Sequence, residues 1–395
     1  MNVQNPRFPL FDSLRAIAAL SVLFFHVAFV TRGFTQPGFG RGLAQLNIGV
    51  TIFFLISGFL LYRPFAQARF SGGPAPALIP YAVRRLARIV PAYWVAVTLI
   101  ALWLGIHEAF TLHGLLTYYG FTQVYDAHTL VAVDLKGGLG HTWTLCVELS
   151  FYVLLPIWAF LQRRLPVRST RQFAVTEALP LAVIFAAGLA WNYTQIQSLN
   201  GIVVFTPKIA TLPDYLDHFA LGMGLAVASV VLASRKRQPL PVRVIAAAPW
   251  VPWVVAAGAF AVLCSIGSNI TSVDAEATRH VIRGFVALCI LLPAVFGDQA
   301  GGAVRRLLAN RRLQWVGLVS YSLYLWHLPI VSKLQGAGVR GTLGWVGFAI
   351  VGTGACLAVA AVSYYAVERP FQRLARRAKG RSGTLEPEPR PSGTT

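Results

Sequence analysis

The sequence predicts an all-α, polytopic integral membrane bundle of about ten transmembrane helices with both termini in the cytoplasm. Three observations carry this. The chain is 56% hydrophobic and only 12% charged, against the roughly 25% charged of an ordinary soluble domain. Mostly apolar stretches of about 17–23 residues, long enough to cross a hydrocarbon core, recur along its whole length. Basic residues also crowd into alternate connecting segments.

In chain order, the apolar stretches place helices at 10–30, 46–62, 90–106, 143–161, 178–194, 215–233, 247–266, 281–298, 315–333 and 343–365. The first carries Asp12, Arg15 and His26 and lacks a small-residue cleavage site after it, so it reads as a retained helix and not as a signal peptide. With a cytoplasmic N-terminus, 25 of the 34 Lys and Arg residues fall on inward segments, among them Arg84, Arg85, Arg88, Arg163, Arg164, Arg305 and Arg306. This is the asymmetry that sets membrane orientation. It also accounts for most of the +20 net charge, leaving no call for a nucleic-acid partner.

The long outward segment from about His107 to His141 is aromatic and Gly-rich, which suits a re-entrant loop or a lid. Residues 1–375 form one membrane domain. Residues 376–395 read as a cytoplasmic tail, basic and then disordered, since the end is rich in Gly, Pro, Ser and Glu. The stretch Arg369–Lys379 is basic and amphipathic, as in a segment lying on an anionic leaflet. All four cysteines (Cys146, Cys264, Cys289, Cys356) lie in predicted spans and read as small apolar side chains. Their spacing matches no metal site, and no metal is expected.

Several residues suggest chemistry. Arg15 and His26 are eleven apart in one apolar helix. Eleven steps of 100° come within about 20° of three full turns, so the two share a face, roughly 16 Å apart. Charged groups inside spans are costly and face polar cavities, so the pair marks a polar path from one leaflet toward the bilayer centre. A snorkelling Arg15 beside Asp12, and a packed core His26, are the plainer readings. Arg84, Arg85 and Arg88 sit at the inner entry of the third helix, where guanidinium groups suit a polyphosphate; positive-inside charge explains them equally well.

His141, Glu148 and Tyr152 fall at spacings of seven and four, aligned on one face of a continuous helix. An intramembrane glutamate marks a wet or reactive site by default, the alternative being a structural pair with an arginine. Tyr321, Tyr324 and His327 form a further polar stripe, suited to packing or to lining a substrate path.

At these residues the chain resembles the acyltransferase family 3 membrane proteins. The matching elements are the Arg-x10-His helix (Arg15, His26), the Gly49–Leu61 stretch, Arg85-x-x-Arg88, Trp143–Glu148 with Phe151-Tyr152, and Tyr321–His327, in the family's order over about residues 10–375. The resemblance implies a membrane-bound O-acyltransferase that moves an acyl group, usually acetyl, from cytoplasmic acyl-CoA to a hydroxyl of an extracytoplasmic sugar, glycolipid or glycoside. It implies a bacterial cytoplasmic membrane, with envelope-glycan assembly proteins as further partners. No tightly bound cofactor is expected; acyl-CoA is a co-substrate. His26 would act as general base, helped by Arg15 and Glu148, with Arg84, Arg85 and Arg88 on the CoA phosphates. His141, Tyr152, Tyr321, Tyr324 and His327 would line the substrate path. Read without the resemblance, the polar stripes fit a transporter or flippase of a lipid-linked sugar as well, or a catalytically dead scaffold.

Overall fold

A computed structural model describes residues 8–126, 138–198, 210–266, 272–297 and 301–382. Among these every regular element is helical. The long helices are α1 (Leu10–Val30), α2 (Ile48–Phe70), α3 (Leu78–Leu104), α4 (Trp143–Arg163), α5 (Thr170–Ser198) and α6 (Leu216–Ala233). They are followed by α7 (Leu240–Ala247), α8 (Val251–Ser265), α9 (Val273–Val295), α10 (Arg311–Leu318), α11 (Ser320–Gly336), α12 (Val339–Ser363) and α13 (Arg369–Ser382).

Eight helices among the described residues are long and apolar enough to cross a membrane, or nine when α7 and α8, bent by 96° at their break, count as one span. The stretch expected at 315–333 is not among them. It divides at Val319 into the eight-residue α10 and the 17-residue α11. Helix α11 carries Ser320, Ser322, Tyr324 and His327 into the protein interior. The second and third helices are longer than expected, continuing to Phe70 and starting at Leu78. Of the tail, residues up to Ser382 are helical, and 383–395 lie outside the described residues, as do 127–137 of the long loop. Loop residues 107–125 form short turns that pack on α3, where the Tyr93 hydroxyl donates to the Tyr118 carbonyl at 2.9 Å and the Trp94 indole to that of Tyr119 at 3.0 Å.

Helix association without a hydrophobic drive relies on close backbone approach at small residues. Helices α2 and α6 show it best: Gly58 of α2 faces the Phe219 carbonyl, and Gly222 of α6 faces that of Leu55, each too near for a methyl group. Gly49 lets α2 approach α1 at Ala18 in the same way. These contacts hold α1, α2 and α6 as a packed centre, against which α4, α9 and α11 bring their polar side chains.

Buried arginines at the ends of α2 and near α10 are structural. Arg69 donates to Glu177 at 2.5 Å and to Thr176 at 2.9 Å, and Tyr62 bonds the other Glu177 oxygen. Arg305, 1% exposed, donates to the carbonyls of Pro293, Ala246, Gly301, Ile245 and Phe296. The cysteines carry no disulfide, and three of the four are buried among apolar neighbours.

Candidate active site

Helices α1, α2, α3, α4 and α11 surround one cavity, lined by Arg15, Ser57, Arg85, Arg88, Thr144, Glu148, Tyr152, Tyr321 and Tyr324. Residues scattered over some 300 positions therefore meet in one place. At one end stand three guanidinium groups. Arg15 is bonded to Asp12 at 2.7 Å. Arg85 and Arg88 have no hydrogen-bond partner and no direct ion pair among the described residues, and the Arg85 Nε is a buried donor without an acceptor. Their spacing of three on α3 turns both into the cavity, while Arg84 is exposed on another face of the same helix. Of the three arginines singled out in the sequence, Arg85 and Arg88 line the cavity together with Arg15, and Arg84 does not.

Glu148 faces the same cavity. It accepts from the Ser57 hydroxyl at 2.8 Å and the Tyr152 hydroxyl at 2.5 Å, the latter across one turn of α4. Residues 140–142 make a 3-10 turn that runs directly into α4. Seven residues of helix separate His141 from Glu148 by roughly 10 Å, and Glu148 makes no hydrogen bond to an imidazole among the described residues; it lies at the cavity wall. Ser57 is a partner that sequence reading missed, though it lies within the Gly49–Leu61 stretch that carries the resemblance. Tyr321 donates to the Ile89 carbonyl at 2.8 Å and ties α11 to α3 beside Arg88.

Toward the other end the cavity meets Thr144 and Tyr324, and behind them lie three histidines. The Tyr324 hydroxyl donates to the His141 carbonyl at 2.7 Å and lies 2.7 Å from the Thr144 hydroxyl. The ring centroids of His26 and His327 are 4.8 Å apart, those of His141 and His327 4.8 Å, and those of His26 and His141 6.4 Å. The hydrogen bonds specify a tautomer chain. His327 Nδ1 lies 2.7 Å from the Tyr324 carbonyl and so carries the proton, which leaves Nε2 as an acceptor. That Nε2 is 3.1 Å from His26 Nδ1, which also faces the Val22 carbonyl at 2.9 Å. With two acceptors in front of it, His26 Nδ1 is the protonated nitrogen, and the lone pair stays on Nε2. Arg15 and His26 do share one face of α1, as their spacing requires.

A second polar group lies elsewhere. Asp217, His218 and His280 come within ligand distance of one another, a set that sequence spacing did not reveal because it joins α6 to α9.

The family model described as acyltransferase domain (acyltransferase family 3) matches residues 9–365. The chain belongs to this family. It is 24% identical to the peptidoglycan O-acetyltransferase OatA of Listeria monocytogenes over 92% of the chain and 56% of that protein. It is 28% identical to the exopolysaccharide production protein ExoZ of Rhizobium meliloti over 83% of the chain and 90% of that protein. Nodulation protein 10 of Rhizobium leguminosarum bv. viciae is also 28% identical, over 92% of the chain and 93% of its own length. The chain thus spans little more than half the length of the OatA proteins it matches. No solved structure matches it significantly.

Proposed function

We propose that this chain is a bacterial cytoplasmic-membrane O-acyltransferase that carries an acyl group, acetyl in the simplest case, from acyl-CoA to a hydroxyl of an extracytoplasmic carbohydrate, glycolipid or glycoside. The observation that carries it is the single cavity joining unpaired Arg85 and Arg88 to the wall of the histidine cluster. Two arginines without acceptors suit a polyanion, which can take both forks at once. The positive-inside bias supports a cytoplasmic position for their end of the bundle and for both termini, on the side where acyl-CoA is made. The named activities of OatA and the other O-acetyltransferases similar to the chain support the same class of reaction.

In this reading the CoA phosphates lie against Arg85, Arg88 and Arg15, and the thioester reaches toward Tyr324. The acceptor hydroxyl attacks the thioester carbonyl while His26 Nε2 takes its proton. A C–O bond forms, the C–S bond breaks, and the proton passes from His26 to the departing thiolate. His327 keeps the Nδ1 proton of His26 in place and steadies the imidazolium as it forms. General-base assistance of this kind contributes roughly 10²–10⁴-fold. Residues 1–375 are the catalytic domain in this proposal, with 376–395 a cytoplasmic tail.

The test is acyl-CoA turnover by purified protein in detergent. Wild-type protein should hydrolyse or transfer the acyl group, and His26→Ala should not. Equal turnover in a monodisperse His26→Ala protein would remove His26 from the chemistry. The transporter reading, which needs no CoA site, would gain if neither protein bound CoA.

A further inference from the structure

A second cavity, of about 110 Å³, opens at the end of the bundle where α1 finishes and α2 begins. An ordered water needs only about 10–15 Å³ of such volume, so the space admits a larger guest. Its walls bring together Asn47 and Thr51 of α2, Trp143 of α4, Asn192 of α5, Tyr215 and His218 around the start of α6, and Glu276, His280 and Arg283 of α9.

Two features of this lining point to the guest. Three of the lining side chains carry polar atoms without partners: Asn47 Oδ1, His218 Nδ1 and Arg283 Nε are all buried and make no hydrogen bond with a described residue. Buried polar groups are almost always satisfied, so a cluster of exceptions calls for a partner outside the chain. The aromatic rings of Trp143 and Tyr215 stand side by side at the same cavity, 5.2 Å between centroids, offering flat apolar surface next to those atoms. Charges, in contrast, are matched within the protein. Glu276 accepts from Arg279 at 2.8 Å and Arg283 at 2.9 Å, and Asp217 lies 2.8 Å from His280 Nε2. A guest with both donors and acceptors, a flat C–H face and no net charge fits this set.

A metal ion fits less well. The His218 and His280 rings are stacked at 4.2 Å with planes only 13° apart. Imidazole lone pairs lie in the ring plane, so one ion cannot lie in both planes.

We infer that this cavity is a saccharide subsite that holds a neutral hexopyranose unit of the acceptor. Trp143 and Tyr215 would stack on the ring's C–H face, and Asn47, His218 and Arg283 would bond its hydroxyls. The inference rests on the acyltransferase reading for its purpose, since it assigns the acceptor side of that reaction. Its placement suits the role: Val50 lines both cavities, and Thr144, next to Trp143, lines the first.

Saturation-transfer NMR on the purified full chain tests it. The probes are the β-1,4-linked trimers of glucose and of N-acetylglucosamine, in an amine-oxide detergent whose headgroup holds no sugar. Wild-type protein should transfer saturation to the ring protons of at least one trimer. Asn47→Leu, which keeps the size and removes the polar atoms, and Thr51→Phe, which fills the cavity, should each reduce the transfer at least fivefold. Absence of transfer to both trimers, or equal transfer in monodisperse variants, would overturn the subsite. No acyl donor is present, so the result is separable from the reaction: protein that turns over acyl-CoA but gives no saccharide signal refutes the subsite alone.

Discussion

Arg305 and Arg88 carry the same side chain and sit in segments that look alike in the sequence, yet the protein uses them in opposite ways. Arg305 spends its donors on five backbone carbonyls and is 1% exposed. Arg88 and its neighbour Arg85 face a cavity and make no hydrogen bond with any described residue. Desolvating an ion is costly, and the protein offsets that cost for Arg305 internally. For Arg85 and Arg88 the cavity keeps the cost low until a ligand supplies the acceptors. The difference separates an arginine that holds a fold from one that awaits an anion.

Four results would break or sharpen this contrast. The largest effect belongs to the imidazole between the two ends: His26→Ala should lower acyl transfer by about 10²–10⁴-fold, with unchanged thermal stability as the control. Next, the Arg85→Ala/Arg88→Ala double variant should raise the KM for acyl-CoA about a hundredfold, the loss of two charge-assisted contacts, with folding intact. Arg305→Met should do the reverse. It removes the Arg305 donors from five carbonyls and should destabilise the protein by about 3 kcal/mol or more, read as a lower thermal midpoint in detergent, while the KM of surviving protein stays near wild type. The smallest is Ser57→Ala, which removes one of the two hydroxyls bonded to Glu148 and should cost about tenfold in kcat/KM, in line with roughly 1.5 kcal/mol for a hydrogen bond to a charge.

Much of this was legible in the chain. The Arg15–His26 spacing fixed a shared face, and the Arg85/Arg88 turn fixed a pair, because helical periodicity acts within one element. Arg84 was grouped with them only because it is adjacent; a 100° step along α3 turns it out of the cavity. The partner of His26 was not readable. His327 is 301 residues away and reaches it only through the packing of α11 on α1. Glu148 looked like the natural orienting group by charge, but its bonds go to Ser57 and Tyr152. Asp217, His218 and His280 carried no local signal, being divided between two helices whose meeting depends on the whole bundle.

The most direct test of the central claim is calorimetric binding of CoA to wild-type protein, the Arg85→Ala/Arg88→Ala variant and Arg84→Ala. Binding that the double variant loses by about two orders of magnitude, and that Arg84→Ala retains within about twofold as expected for one screened surface charge, is the predicted result. Equal CoA affinity in all three proteins, or none in the wild type, would contradict the assignment of this cavity to the donor.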